Sequence, residues 1–281
     1  MLYAELDAFE PVAIQEHESG DGWRVFFRTA SQRNGARRAL ASEFENALDV
    51  HAVDVDDEDW ARRSQEGLKA TRAGRIVVAP PWDIPPEDRD SRFAIRDSAL
   101  ANREPRTANR DVVIIIDPST GFGTGHHPTT RLCLELLQEL DLRGTRVIDV
   151  GTGSGVLAIA ASKLGARDVI ALDNDPDALR NARDNVQRNA VGVEVVEANL
   201  STTTLAPADV VLANLTSAVL QRFAVSLRKL VAPGSVLIVS GFSPGDLNDV
   251  TRALKASQSK TAVDGDWAAA TYLCPDSSKL S

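Results

Sequence analysis

The run Arg146-Val147-Ile148-Asp149-Val150-Gly151-Thr152-Gly153-Ser154-Gly155-Val156-Leu157-Ala158-Ile159-Ala160, with Asp173 closing the next apolar run, decides the fold. Arg146 to Val150 is a short apolar stretch bearing one acid and reads as a strand. Val156 onward is small and apolar, as suits a helix packed on a sheet. Between them the glycines let the backbone turn sharply and let a ligand approach the main chain beside the unpaired N–H groups of the helix start. A dinucleotide fingerprint is G-x-G-x-x-G. Here the spacing is G-x-G-x-G, and Val156 stands where the third dinucleotide glycine would fall, which opposes a dehydrogenase. Asp173 follows Val169-Ile170-Ala171-Leu172, where an acid can accept ribose hydroxyls.

The strand pattern continues downstream. Asn174-Asp175-Pro176 opens a helix to about Arg188, Val193 to Val196 is a third strand, and Asp209 to Ala213 a fourth that ends at Asn214. A helix to about Val231, a strand over Ser235 to Ser240, a helix after Pro244 and a strand near Ala268 to Leu273 complete a seven-strand-type α/β sheet. Gly151, Asp173, Asn199 and Asn214 all fall at carboxyl ends of strands, where open α/β sheets bind ligands.

Upstream, residues 2–6 and 23–28 alternate as strands, and Ala36, Leu40, Phe44 and Leu48 lie four apart on a helix over Asn34 to Leu48. These predict a small α/β recognition domain over 1–57 with no cluster of catalytic residue types. Residues 58–111 are expected to form a linker region, with a short helix from Asp59, a strand at Arg75 to Ala79, and a charged, proline-bearing loop after Asp83. The remainder, 112–281, begins with a buried strand at Val112 to Ile116. The polar loop Asp117 to Thr130, with three glycines, two histidines and four threonines, then leads into a helix whose Leu132, Leu136 and Leu140 face the core.

The chain has 281 residues, 43% of them hydrophobic, a formal charge of −9 and a pI near 5.0. These values suit one large domain plus a small one and oppose a nucleic-acid surface, which normally shows a basic face. Cys133 and Cys274 are too few for a disulfide framework or a thiolate metal site. The N-terminus shows no secretory pattern and no run reaches membrane length, so a cytoplasmic protein is expected. No metal site is expected, since His17 and His51 lie far from His126 and His127 with no supporting acid spacing.

The D-x-G-x-G-x-G pattern from Asp149 to Gly155, with Asp173, resembles the class I S-adenosylmethionine-dependent methyltransferases. A narrower resemblance rests on Asp117-Pro118, on Phe122-Gly123-Thr124-Gly125-His126-His127-Pro128-Thr129-Thr130, on Ala213-Asn214-Leu215 and on Ser240-Gly241. Together these are similar to the ribosomal-protein L-eleven methyltransferases, the PrmA type. The resemblance covers about 59 to 273. His126 stands where that family usually has threonine, Asn214-Leu215-Thr216-Ser217 replaces Asn-Ile-Leu, and the first fifty-odd residues show no match.

The resemblance implies a doubly wound, Rossmann-like methyltransferase sheet joined to a substrate-recognition domain, with S-adenosylmethionine as cofactor. It also implies methylation of lysine or N-terminal amines on a basic ribosomal protein, with no direct nucleic-acid or membrane partner. The family's cofactor contacts carry over to Thr130, Gly151, Asp173 and Asn214, and Gly153 lies inside the same turn. Asn214 is also the candidate catalytic residue, because its amide oxygen can accept an amine N–H without the ion pair that would hold the proton on. His126 and His127 are open to three roles, as a base, a substrate contact or a neutral loop lock. A related methyltransferase acting on another protein or a small molecule is also open.

Overall fold

The computed structural model describes residues 9, 11, 13–16, 22–27, 29–44, 48–53, 68–85, 111–118 and 125–274. Contacts divide the chain into Met1–Ser64 and Gln65–Ser281.

In the first unit β1 (Ala13–Glu16) and β2 (Trp23–Phe26) form an antiparallel hairpin, followed by α1 (Ala30–Glu43). Thr29 caps α1 by accepting the Gln32 N–H, and the helix starts at Ala30, four residues before the expected Asn34. Ala36 and Leu40 are buried on one face, with Phe9, Val25, Phe27 and Phe44 against them. Leu48, expected on that face, lies beyond the helix and is 38% exposed. Val50 to Val53 form no strand, and the expected strand at 2–6 and the helix from Asp59 to Gly67 lie outside the described residues.

In the second unit β3 (Thr71–Ala73) and β4 (Ile76–Ala79) form a hairpin, and β4 pairs in parallel with β5 (Val112–Ile115). Thus part of the stretch expected to be linker is a β-hairpin built into this unit. Residues 86–110 lie outside the described residues. The helix α2 (Pro128–Leu137) precedes the main sheet. Alternating with the strands β6 (Arg146–Val150), β7 (Asp168–Asp173), β8 (Glu194–Glu197) and β9 (Ala208–Asn214) are α3 (Val156–Lys163) and α4 (Pro176–Arg188). The chain continues through α5 (Ser217–Arg222), α6 (Ala224–Leu230), β10 (Val231–Phe242), α7 (Leu247–Leu254), β11 (Ser257–Asp264) and β12 (Trp267–Leu273).

The seven strands run in the order β11-β12-β10-β9-β6-β7-β8, parallel except where β12 meets β10 and β11. Neighbouring residues on a strand point to opposite faces and feed different cores. Val147, Val169, Val210 and Leu212 pack with α2 and α3, whereas Ile148, Ile170, Val211 and Ala213 pack with α5, α6 and α7. Helices thus cover both faces, as the doubly wound expectation required. The buried strand before the polar loop belongs to the separate three-strand sheet. The seventh strand is β11, which the sequence reading does not single out because its side chains are mostly exposed and polar.

The chain winds outward from β6 through β7 to β8 in one direction and from β9 to β10 in the other, so β6 and β9 flank the point where strand order reverses. Open α/β sheets bind ligands in the crevice above such a point.

Candidate active site

The register lines up the strand ends. Leu172 pairs with Val150, Val150 with Ala213, and Ala213 with Val239, so the next residues across the sheet are Asp173, Gly151, Asn214 and Ser240. Asp173, Gly151 and Asn214 were expected as ligand contacts, and the fold puts them side by side at the switch point.

The glycine turn is held from below and from the side. Gly151 N–H and Thr152 N–H both donate to Leu172 O, at 2.8 and 2.9 Å. Gly151, Gly153 and Gly155 have φ of 69°, 54° and 83°, a region that costs other residues energy. A Cβ on Gly151 would also stand 2.4 Å from the Leu215 side chain. Asp149, 1% exposed, accepts the Thr152 hydroxyl at 2.6 Å and the Ala158 N–H at 3.2 Å on Oδ2. Burial raises its carboxyl most. The nearby Asp173 charge adds to this and the two hydrogen bonds oppose it, leaving the carboxyl pushed up to about 7.

Asp173 Oδ2 accepts Gly153 N–H at 2.9 Å, and Oδ1 accepts Asn174 N–H and Asp175 N–H at 2.8 and 3.1 Å. A carboxylate offers about four lone-pair sites, so these three bonds fix it and leave capacity for a hydroxyl. Asn199 does not join the group. It lies in the turn beyond β8, where its Oδ1 accepts Ser201 N–H and its main-chain oxygen binds Thr202 and Thr203.

On the other side of the switch point, Asn214 Nδ2 lies 3.4 Å from Thr130 Oγ1 in the first turn of α2. Thr130 is buried at 2% exposure and Asn214 is half-buried. The Asn214 Oδ1 atom has no hydrogen-bond partner among the described residues. Gly241, just beyond, has φ 96°, and a Cβ there would meet Leu215 O at 2.3 Å, so Leu215 folds back between Gly151 and Gly241.

The two histidines have different surroundings. His127 caps α2, its Nδ1 2.8 Å from Thr129 Oγ1, and its ring meets Trp267 edge-on at 4.7 Å. Burial, helped by the Arg131 charge, lowers its pKa, so a neutral ring is favoured at pH 7. His126 Nε2 lies 2.7 Å from Lys69 O and ties this segment to the chain before β3. Arg131 donates to His126 O and pairs with Asp264 at the β11–β12 turn. This clamp from β11–β12 was not legible, since nothing local links residues 131 and 264. Ser119 to Thr124 lie outside the described residues. Among the described residues no group of histidine, cysteine or acidic side chains could hold a metal.

The donor set fits S-adenosylmethionine. It comprises a carboxylate with room for one more hydrogen bond, a turn with glycine at three of its five positions, and a hydroxyl–amide pair on the other side of the switch point.

Comparisons agree with this geometry. The family model described as Ribosomal protein L11 methyltransferase (PrmA) matches residues 5–272, extending through the N-terminal module, where the sequence reading finds no match. A ribosomal protein L11 methyltransferase from Chloroflexus aurantiacus is 37% identical over 291 aligned positions, covering 89% of this chain and 83% of the relative. One from Geobacter sulfurreducens is 46% identical over 191, covering 66% of this chain but only 56% of the relative. The solved ribosomal protein L11 methylase from Lactobacillus delbrueckii subsp. bulgaricus superposes with a TM-score of 0.61 at 23% identity, covering 74% of this chain and 98% of that one, which shows a shared fold. With an aligned switch-point site and a family match across both of its units, this chain belongs to the ribosomal protein L11 methyltransferase family.

Proposed function

We propose that the protein is an S-adenosylmethionine-dependent methyltransferase that modifies lysine or N-terminal amines of ribosomal protein L11. The observation that carries this reading is the Asn214–Thr130 pair beside the glycine turn. Asn214 Nδ2 lies 3.4 Å from Thr130 Oγ1, and Asn214 Oδ1 is left without a hydrogen-bond partner among the described residues, free to accept from a substrate. The cofactor, held by Gly151, Gly153, Asp173, Thr130 and Asn214, supplies a methyl group on a sulfonium.

The protein's task is then mainly placement, since a displacement needs the amine within roughly 3–3.5 Å of the carbon it attacks. A lysine amine has an ordinary pKa of about 10.4 and reacts only when neutral, and a partly desolvated pocket favours that form. Asn214 Oδ1 can accept an N–H of the neutral amine and aim its lone pair. Being uncharged, it does not stabilise the ammonium as a carboxylate would. The family resemblance and the relatives' names support a ribosomal protein as substrate. The described residues contain no helix long and apolar enough to cross a membrane.

We assign substrate selection to the N-terminal unit, Met1–Ser64, which carries no part of the glycine turn or of the strand-end cluster. The test is incubation with labelled cofactor and either purified L11 or whole-cell extract, with the labelled species identified by mass spectrometry. Label on L11 amines is expected. Label confined to another protein or to a small molecule would replace this substrate assignment while leaving the methyltransferase reading intact.

A further inference from the structure

Among the described residues strand β5 has a neighbouring strand on one side only. β4 takes its Val112 and Ile116 N–H groups through Arg75 O and Ala79 O. The groups that point the other way sit in the protein interior, where unmet polar atoms cost about 1–3 kcal/mol each. Four of them are met by side chains. Lys163 Nζ donates to Val113 O at 2.7 Å. Asn189 acts as a surrogate peptide, its Nδ2 donating to Ile115 O at 2.6 Å and its Oδ1 accepting Ile115 N–H at 2.9 Å. Asn185 Oδ1 accepts Asp117 N–H at 2.9 Å. Among the described residues the edge of β5 is therefore completed by side chains of α3 and α4.

Asn185 differs from the others in where its second end goes. It is 0% exposed, and its Nδ2 donates to Ser154 O at 3.0 Å, inside the glycine turn, and to Asn181 Oδ1 at 3.2 Å. One rigid amide thus touches both the glycine turn and Asp117. From Asp117-Pro118 the chain sets out on the stretch that returns at Gly125 and delivers His127 and Thr130 to the site. Asp117 is held a second time from the same helix, Arg188 pairing with its carboxylate at 2.7 Å. Asn189, by contrast, reaches only β5 and the Asn185 carbonyl, at 2.8 Å for the latter.

We propose that Asn185 is a positioning residue that couples the glycine turn to Asp117, so that a ligand on the turn tightens the carboxyl end of β5. The proposal rests on the cofactor reading above. It follows from one planar group having a partner at each end, since a shift of Ser154 must either move the amide or break one of its bonds.

The experiment is hydrogen exchange of the 112–118 peptide, which contains the Ile115 and Asp117 amides, with and without saturating S-adenosylhomocysteine. Calorimetry on the same samples reports binding. In the wild type, ligand should slow exchange about tenfold, within the usual range of coupling between sites. Asn185→Ala should still bind ligand but reduce that slowing to less than about twofold, whereas Asn189→Ala should speed exchange equally with and without ligand and keep the tenfold factor. A residue that merely supported the fold would behave like Asn189. Asn185→Asp conserves volume and the Asp117 acceptor while losing the donor to Ser154 O, so it should also lose the ligand effect and serves if the alanine variant fails to fold.

The proposal is overturned if Asn185→Ala retains the tenfold factor, or if wild type binds ligand without slowing exchange. It is equally overturned if both Asn185 variants unfold while Asn189→Ala does not, which would assign Asn185 to the fold alone. Absence of binding in the wild type would instead sink the cofactor reading.

Discussion

Asp149→Asn isolates the least comfortable group in the site. Its carboxyl is buried beneath the glycine turn, with two donors on Oδ2 and no partner for Oδ1 among the described residues. Folding raises its pKa from 3.8 to about 7, so the folded state holds the proton more tightly than the unfolded chain. The stability this contributes is fully present below pH 3.8, falls as pH rises, and is gone by about pH 7. The displacement from 3.8 to about 7 corresponds to about 4 kcal/mol. Asparagine keeps an oxygen for Thr152 and Ala158 and cannot ionise. The stability of the variant minus that of wild type should therefore grow by about 4 kcal/mol between pH 4 and pH 8. His127 runs the other way: its lowered pKa contributes stability above its ordinary value that is lost as pH falls, but it is present in both proteins and cancels. Urea unfolding of both at pH 4.5, 6 and 8 measures the difference. Parallel pH profiles would refute the reasoning, because they would mean that Asp149 titrates alike in the folded and unfolded chains.

Four further outcomes are expected. Asn214→Ala should lower kcat by more than it lowers cofactor affinity, since it removes an interaction made with the reacting amine, and calorimetry beside steady-state kinetics separates the two. Asn214→Asp should be poorly active at pH 7 and partly recover as pH rises, because a carboxylate there would hold the amine protonated; wild-type activity at neutral pH would remove Asn214 from amine orientation. Asp173→Ala should weaken S-adenosylhomocysteine binding by about 1.5–3 kcal/mol, and an unchanged Kd would show the ribose to lie elsewhere. Gly241→Ala should cost at least about 1–2 kcal/mol in urea unfolding from its left-handed backbone alone, with the clash against Leu215 O adding to it.

Much of this architecture was legible because burial writes itself into sequence at the scale of one strand. Alternation such as Val147/Ile148 and Val210/Val211 feeds two opposed cores, and the glycine turn marks where β6 gives way to α3. Gly151, Asp173 and Asn214 could be picked out one by one as strand ends, although their sharing one row depends on the order of strands in space. What failed to show had no local periodicity to reveal it. The sheet's edge strand β11 is polar and exposed, so its alternation carries no apolar contrast. Val112–Ile115 is as apolar as a central strand, yet it pairs with β4 and finishes its other edge with side chains. An amphipathic helix such as α4 invites the assumption that its asparagines face water, whereas Asn185 and Asn189 take the place of a missing strand. Their amides do the work of peptide groups, and a peptide group has no sequence signal beyond the chain that carries it. Such surrogate edges are where a functional link can enter a fold unannounced, because a side chain, unlike a strand, can end on two different structures at once.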